Sequence, residues 1–226
     1  MTRGLTRQAK SLTDVQVRTL LRFVETETHV PERNRVVVLL SFKSGLRAKE
    51  IACLTWGMLT DTEGNLTDAM SLTNGATKGK SGRVIPLHTD LKDALVTLHA
   101  HELANGPVEP DAFVVTMKKG SSAAVTRSNS VQFLFKDWYA KLGFSGASSH
   151  SGRRTFITKA ARTVSSVGGS LRDVQALAGH SSIQITQRFV KPQLIVEPKL
   201  FDQRQYKPKW ELVPIGFRIR IVRKEK

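Results

Sequence analysis

The sequence is poor in cysteine and in acidic residues. Cys53 is the single cysteine among 226 residues, which excludes an internal disulfide and any metal site built on several thiolates, and which fits a reducing, cytoplasmic compartment. Only 19 Asp and Glu stand against 35 Lys and Arg, so the net charge is +16. Because 40% of the residues are hydrophobic, the chain is too apolar for a disordered polycation. A folded protein with a polyanionic partner is expected, with nucleic acid first and an acidic membrane surface second.

Long apolar runs are also missing. The longest run near the N-terminus is 36–40, whereas a membrane-spanning helix needs about 20 apolar residues. The first twenty residues are basic but lack the apolar core of a signal peptide. No internal repeat is visible. These absences exclude a transmembrane protein and a repeat array.

Hydrophobic periodicity predicts an α+β fold that is mainly helical, with a small antiparallel β-sheet. Capping boxes at Thr13–Gln16 and Ser170–Asp173 mark two helix starts, and Pro31 suits the first turn of another. Helices are predicted from 13, from 31 to about 45, at 48–54, from 89, and at 128–142, 151–164, 170–179 and 181–190, and strands at 69–76, 83–87 and 113–116.

Three regions follow from this pattern. Residues 1–11 form a basic lead-in, and 12–190 contain no interdomain linker and form one domain. Past 191 the pattern fails at repeated prolines, and 207–226 hold seven basic and two acidic residues. We therefore interpret 191–226 as a basic tail, which either is solvated or follows phosphates.

Two segments in the first half of the domain are candidates for chemistry. Residues 44–51 read Ser-Gly-Leu-Arg-Ala-Lys-Glu-Ile, with Arg47 at the start of a short helix. Residues 77–87 read Thr-Lys-Gly-Lys-Ser-Gly-Arg-Val-Ile-Pro-Leu, a hairpin with Lys78 and Lys80 at its tip.

Two further segments lie in the second half. His150-Ser-Gly-Arg153 places an imidazole and a guanidinium three residues apart, so they share a face at a helix start. Gly179-His180-Ser-Ser-Ile places a histidine just before a helix N-terminus, where backbone N–H groups attract phosphate.

The four segments, in this order, resemble the tyrosine recombinase (phage integrase) family over about 12–190. The resemblance implies that Arg47 and Arg153 are the two catalytic arginines. Lys78 matches the catalytic lysine, with Lys80 as its alternate. His150 and His180 complete the site, and no metal, cofactor or ATP is required.

The residue types suit the chemistry that the resemblance implies. A tyrosine hydroxyl attacks a DNA phosphodiester, and negative charge builds on the non-bridging oxygens. Guanidinium groups stay charged and donate to phosphate in a fork. A lysine can protonate the leaving 5′ oxygen, and histidines can position oxygens or handle the proton of the nucleophile. Glu50 is expected to orient a neighbour rather than to react.

The sequence departs from the family at the nucleophile. Nine residues after His180 the family has its tyrosine, and this chain has Phe189, which lacks the oxygen for a covalent link. Either the residue was introduced to trap an uncleaved complex or the protein is a degenerate relative. Tyr206 and Tyr139 are candidate substitute nucleophiles, although their spacing from His180 is wrong.

A second departure is length, since integrases usually carry a core-binding domain of about a hundred residues before this region. The chain resembles an excised catalytic domain or a compact single-domain relative, and Met1 favours the latter.

The sequence thus predicts a site-specific DNA recombinase or integrase that is deficient in cleavage, bacterial or phage-encoded and DNA-associated in the cytoplasm. The resemblance also implies its partner, a double-stranded recombination site on which the family works as a homotetramer, away from membranes. The alternative is a non-catalytic DNA-binding or architectural protein with the same fold. A basic structural protein, such as a ribosome-associated one, is a third hypothesis.

Overall fold

The structure is a computed structural model that describes residues 9–77, 82–117 and 128–190, and the backbone of two strands beyond residue 209. These parts are mainly helical with a small antiparallel sheet, which confirms the predicted fold class. The helices, in chain order, are α1 (Asp14–Thr26), α2 (Pro31–Lys43), α3 (Ala48–Ala52), α4 (Thr89–Leu103), α5 (Ser128–Lys141), α6 (Ser151–Thr163), α7 (Leu171–Ala178) and α8 (Ile183–Val190). Strands β1 (Ala69–Leu72) and β2 (Arg83–Pro86) lie between α3 and α4, and single 3₁₀ turns lie at Trp56–Met58 and Val164–Val167.

Local sequence signals account for the first two helices. Thr13 Oγ1 accepts a hydrogen bond from the Gln16 N–H, and Gln16 Oε1 accepts one from the Thr13 N–H, so the predicted capping box starts α1. Pro31 opens α2, in which every residue of 36–42 is buried. Because α2 is apolar on all sides there, it lies at the centre and contacts α1, α4 and α6.

The β1–β2 hairpin is shorter than predicted. Its register runs from Ala69↔Pro86 to Leu72↔Arg83, and 74–77 form turns rather than the second half of a strand. The predicted strand at 113–116 is also wrong, because its contribution to a sheet is a single bridge between Phe113 and Thr55. Val114 and Val115 are buried, so their apolar character reflects the core and not a ladder.

The region after 190 was expected to lack regular structure, and this expectation is wrong for part of it. The chain divides into two compact units, Met1–Val190 and Lys191–Lys226. In the second unit, strand β3 (Trp210–Ile215) pairs antiparallel with β4 (Arg218–Arg223). Arg and Ile alternate through the first four residues of β4, 218–221, which is a strand pattern. Pro214 is tolerated because each strand of an isolated pair has a free edge.

The first unit contains two hydrophobic cores. The larger one is built by α1 to α5 and the β1–β2 hairpin, and the smaller one by α6 and α7, with Phe189 of α8 packed against it. The large core carries the segments around Arg47 and Arg83, whereas the small core carries Arg153 and leads into His180. No helix within the described ranges has the length and apolar character that a membrane span needs.

A glycine sets the distance between α6 and α2. A Cβ atom on Gly152 would lie 2.2 Å from Ser41 Oγ and 2.9 Å from Phe42 Cδ2. Both neighbours are buried in α2 and have no room to move. The glycine in the His-Ser-Gly-Arg segment therefore serves helix packing, and this packing fixes the position of Arg153 one residue later.

We predict that Gly152→Ala lowers the free energy of unfolding by about 1–3 kcal/mol, the usual cost of overpacking a core. Urea denaturation at pH 7 measures the loss. Gly75→Ala is the matched control, because the nearest atom to its new Cβ is 4.0 Å away. If both variants lose the same stability, the close approach of α6 to α2 is not what requires Gly152.

Candidate functional site

The segment before α3 holds Arg47 by means of Glu50. The Arg47 N–H donates to Glu50 Oε2 at 2.8 Å, and Arg47 Nη1 donates to Oε1 at 2.8 Å. Only 1% of the Glu50 side chain is exposed, against 26% of the Arg47 side chain. The buried carboxylate of Glu50 therefore orients Arg47, as the sequence predicted. The guanidinium of Arg47 remains partly accessible.

A second arginine binds the same carboxylate. Arg83, the first residue of β2, donates from Nη1 to Glu50 Oε1 at 3.1 Å and from Nη2 to Oε2 at 3.2 Å. This is the bidentate geometry in which arginine binds carboxylates most strongly. Sequence analysis had assigned Arg83 no role, since a strand-opening arginine gives no sign of a partner 33 residues earlier in the chain.

These contacts lower the pKa of the Glu50 carboxyl group. Burial by itself raises the pKa of Glu50, but the hydrogen bonds and charges of Arg83 and Arg47 outweigh it, so the pKa lies below its usual value. The carboxylate is ionised at neutral pH and offsets part of the positive charge around it.

The end of α7 gathers three arginines. Three consecutive carbonyl oxygens accept one hydrogen bond each: Leu177 from Arg83 Nε at 2.8 Å, Ala178 from Arg153 Nη2 at 2.5 Å, and Gly179 from Arg47 Nη2 at 3.4 Å. A helix C-terminus carries unpaired carbonyls and partial negative charge, which favours cations there. One turn thus brings together arginines from three distant segments.

Arg153 is the most constrained of the three. It is buried in α6, and its Nη1 donates to the Gly45 carbonyl at 2.7 Å in addition to the bond to Ala178. Burial, and then the charges of Arg47 and Arg83, lower the pKa of Arg153 to about 9 against the opposing effect of Glu50. The group remains charged at neutral pH, at the seam between the two cores.

His180 follows the left-handed Gly179, whose φ is +57°. Gln175 Nε2 donates to the His180 carbonyl at 3.1 Å, and His180 Nδ1 lies 3.0 Å from Thr186 Oγ1. Burial, followed by the charges of Arg153, Arg47 and Arg83, lowers the pKa of His180 to about 4. The imidazole is therefore neutral at physiological pH and can both donate and accept hydrogen bonds.

The ring of Phe189 lies beside His180 and Arg154. Its centroid is 5.7 Å from that of His180 with 19° between the planes, and the Arg154 Cζ lies 5.7 Å from the same centroid. A guanidinium at this distance attracts an aromatic face. The residue at the predicted nucleophile position thus reaches the site from its own chain, without an oxygen.

The structure describes one of the remaining phosphate-binding candidates, His150. It is exposed at the start of α6, and its N–H donates to Ser148 Oγ at 3.3 Å. Lys78 and Lys80 lie outside the described residues, as does Tyr206.

Tyr139 does not fit a substitute nucleophile. It is only 3% exposed, packs against Phe135 and Phe144, and has its pKa raised by burial. A hydroxyl inside the large core cannot meet a DNA phosphate.

Comparisons with known sequences identify the family of this chain. The model of the phage integrase family matches residues 10–194. The tyrosine recombinase XerC of Bacillus pumilus is 27% identical over 181 residues, which are 78% of this chain and 55% of that protein. XerC of Chlamydia caviae is 29% identical over 178 residues, 77% of this chain and 52% of that protein. The chain thus spans about half the length of the curated relatives it matches.

Solved structures share the fold. XerA recombinase has a TM-score of 0.64 at 16% identity, covering 88% of this chain and 66% of that one. The Tn1549 transposon integrase in complex with a circular intermediate DNA has a TM-score of 0.62 at 19% identity, with coverages of 84% and 63%. The catalytic domain of bacteriophage HP1 integrase has a TM-score of 0.55 at 19% identity, with coverages of 80% and 87%.

We predict that Glu50→Gln lowers the free energy of unfolding by about 3 kcal/mol at pH 7, because it leaves the buried guanidinium of Arg83 and the partly exposed one of Arg47 without their counter-charge. Since the folded pKa of Glu50 is depressed, its contribution is present above the unfolded pKa of about 4.3 and is lost as the pH falls through the folded pKa. The difference between wild type and variant should therefore shrink in urea denaturation below about pH 4. Glu25→Gln, which breaks the surface pair with Arg35, should cost under about 1 kcal/mol. Equal losses for the two variants would contradict the central role of Glu50.

We also predict that His180 makes stability fall on mild acidification. Its pKa is about 4 in the folded chain and 6.5 when unperturbed, so the unfolded state takes up a proton first as the pH drops from 6.5 to 4. Urea denaturation at pH 7 and pH 5 should show a smaller loss for His180→Gln than for wild type. The other histidines contribute equally to both proteins, so an identical loss in both would show that His180 is not buried against the arginines.

Proposed function

We propose that this chain, which belongs to the phage integrase family, binds a DNA recombination site through a phosphate pocket. We also propose that it does not itself cleave the strand. Arg47, Arg153 and His180 form the pocket, and Lys78 and His150 complete it. The observation that carries the proposal is the Phe189 ring stacked on His180, whose own pKa is lowered by burial and then by the charges of Arg153, Arg47 and Arg83.

Charge and access support phosphate binding. The guanidinium groups of Arg47, Arg83 and Arg153 surround one carboxylate, that of Glu50, so this group of side chains carries a net positive charge. An anionic phosphodiester is attracted to such a site, and fixed donors aimed at its oxygens cost little reorganisation. Arg47 is the most accessible of these guanidinium groups, so we expect it to meet the phosphate first.

Because Phe189 has no hydroxyl oxygen, we expect the chain to bind a DNA phosphodiester without cleaving it. In the family reaction, the tyrosine hydroxyl gives up its proton, which a histidine is suited to accept, and its oxygen forms a bond to phosphorus. The bond from phosphorus to the 5′ oxygen breaks, and the leaving oxygen takes a proton, here from Lys78. The phosphotyrosyl link conserves the bond energy for rejoining. Phe189 cannot form the first bond, so the sequence of steps stops at the bound phosphodiester.

The second candidate function is a non-catalytic DNA-binding or architectural protein. It is favoured by the packing of Phe189, because its ring contacts both His180 and Arg154 and these contacts need no hydroxyl. Both hypotheses include DNA binding, which rests on the net charge of +16 and should weaken steeply with salt. Assembly as a tetramer on the DNA is part of the first proposal.

The test restores the hydroxyl. Phe189→Tyr in the full chain, incubated with nicked suicide duplexes from a panel of recombination sites, should give a covalent protein–DNA adduct on a denaturing gel. Adding Arg153→Ala or Arg47→Ala should reduce adduct formation by about 10²–10³-fold, the cost of losing one fixed donor. The parent chain with Phe189 is the control and should give no adduct.

Two other outcomes of these assays would favour the other hypotheses. If Phe189→Tyr binds the duplexes but never forms an adduct, the architectural hypothesis is favoured. If loss of Arg47 or Arg153 affects binding no more than loss of Lys224 in the tail, the phosphate pocket is wrong and a generic basic protein is favoured.

A further inference from the structure

Arg83 joins strand β2 to two other parts of the site. Its two Nη atoms bind both oxygens of Glu50, and its Nε binds the Leu177 carbonyl at the end of α7. One planar group therefore spans β2, the turn that carries Arg47 and the turn that carries His180. We propose that Arg83 is a positioning residue whose guanidinium fork holds the Gly179–His180 turn against the Arg47–Glu50 turn.

Burial separates the role of Arg83 from that of a phosphate ligand. Its side chain is 8% exposed, against 26% for Arg47. The described contacts use its Nε and both Nη atoms on groups of the protein itself. Arg83 thus acts through its neighbours, and its role rests on the proposed function because the turns it joins carry the phosphate-binding groups.

Gly179 provides an independent indication of how close this contact is. A Cβ atom at Gly179 would lie 2.8 Å from Arg83 Nη1, 3.1 Å from Cζ and 3.3 Å from Nε. The backbone of the turn therefore lies directly against the guanidinium. A side chain at 179 would displace either the turn or the arginine. Glycine is therefore required there for two reasons, the close contact with Arg83 and the left-handed backbone.

The shape of arginine matters beyond its charge. A lysine has one ammonium, which can keep the positive charge but cannot bind two carboxylate oxygens and a carbonyl from one rigid plane. If Arg83 positions the two turns, lysine does not replace it. If Arg83 only adds positive charge, lysine restores function.

The first experiment compares Arg83→Gln, Arg83→Lys and Arg35→Gln in the full chain. Arg35 pairs with Glu25 on the surface, so its variant loses an ion pair and a positive charge away from the site. Affinity for a duplex recombination site at fixed salt should fall about 10-fold to 100-fold for both Arg83 variants, the cost typical of losing a residue that orients a ligand group. It should change little for Arg35→Gln.

The titration of His180, followed by NMR of its ring, needs no DNA. The groups that face this ring are the charges of Arg153, Arg47 and Arg83, the Thr186 hydroxyl and the Phe189 ring with Arg154 behind it. Arg83→Gln should raise the midpoint from about 4, because it removes one of these charges and loosens the turn. Affinity restored by Arg83→Lys, or a His180 midpoint unmoved in Arg83→Gln, would overturn the proposal.

A pair of glycine variants tests the contact without altering Arg83. Gly179→Ala meets the guanidinium, whereas Gly168→Ala places its Cβ in open space at a similar φ of +77°. Both should lose thermal stability through backbone strain. Only Gly179→Ala should weaken DNA binding and move the His180 midpoint, and equal behaviour of the two variants would count against the proposal.

Failures of the two proposals are distinguishable. If the parent chain binds no DNA, or Phe189→Tyr forms no adduct, the proposed function fails while the His180 titration still reports on Arg83. If DNA binding and adduct formation succeed but the Arg83 and Gly179 variants behave as their controls, only the positioning role fails.

Discussion

The carboxylate of Glu50 is the contact on which the rest of the site depends. A buried carboxylate is costly unless it is paired, and Glu50 is paired twice, with Arg47 from its own turn and with Arg83 from the β-hairpin. In return it lets three like charges lie close together. Without it the guanidinium groups would repel one another, and the exposed one would have no fixed orientation.

The carbonyl groups at the end of α7 supply the hydrogen-bond acceptors that one carboxylate cannot provide for three arginines. Three successive carbonyls accept from three arginines, so the partial negative charge of a helix terminus is used to assemble a cationic site. These bonds join the small core to the large one. Gly152, by bringing α6 close to α2, sets the position of Arg153 at the same seam. Helix packing and electrostatics thus determine a single geometry together.

The ring of Phe189 is held beside His180. The ring stacks on His180 and lies near Arg154, so it contributes apolar area and cation–π attraction that need no hydroxyl. His180 is neutral and hydrogen-bonded to Thr186. The packing at position 189 therefore does not depend on a hydroxyl.

The sequence by itself determined the helices and the identity of most site residues. Capping boxes and apolar stripes act within one or two turns, so the starts of α1 and α7 were readable from Thr13 and Ser170. Spaced motifs identified Arg47, Arg153, His180 and Phe189. Only the tertiary structure decided the pairing of Arg83 with Glu50, the use of the α7 carbonyls, the burial of Tyr139 and the reduction of 113–116 to one bridge. Those features join segments far apart in the chain, and a local pattern carries no information about which distant partner the packing of two cores will supply.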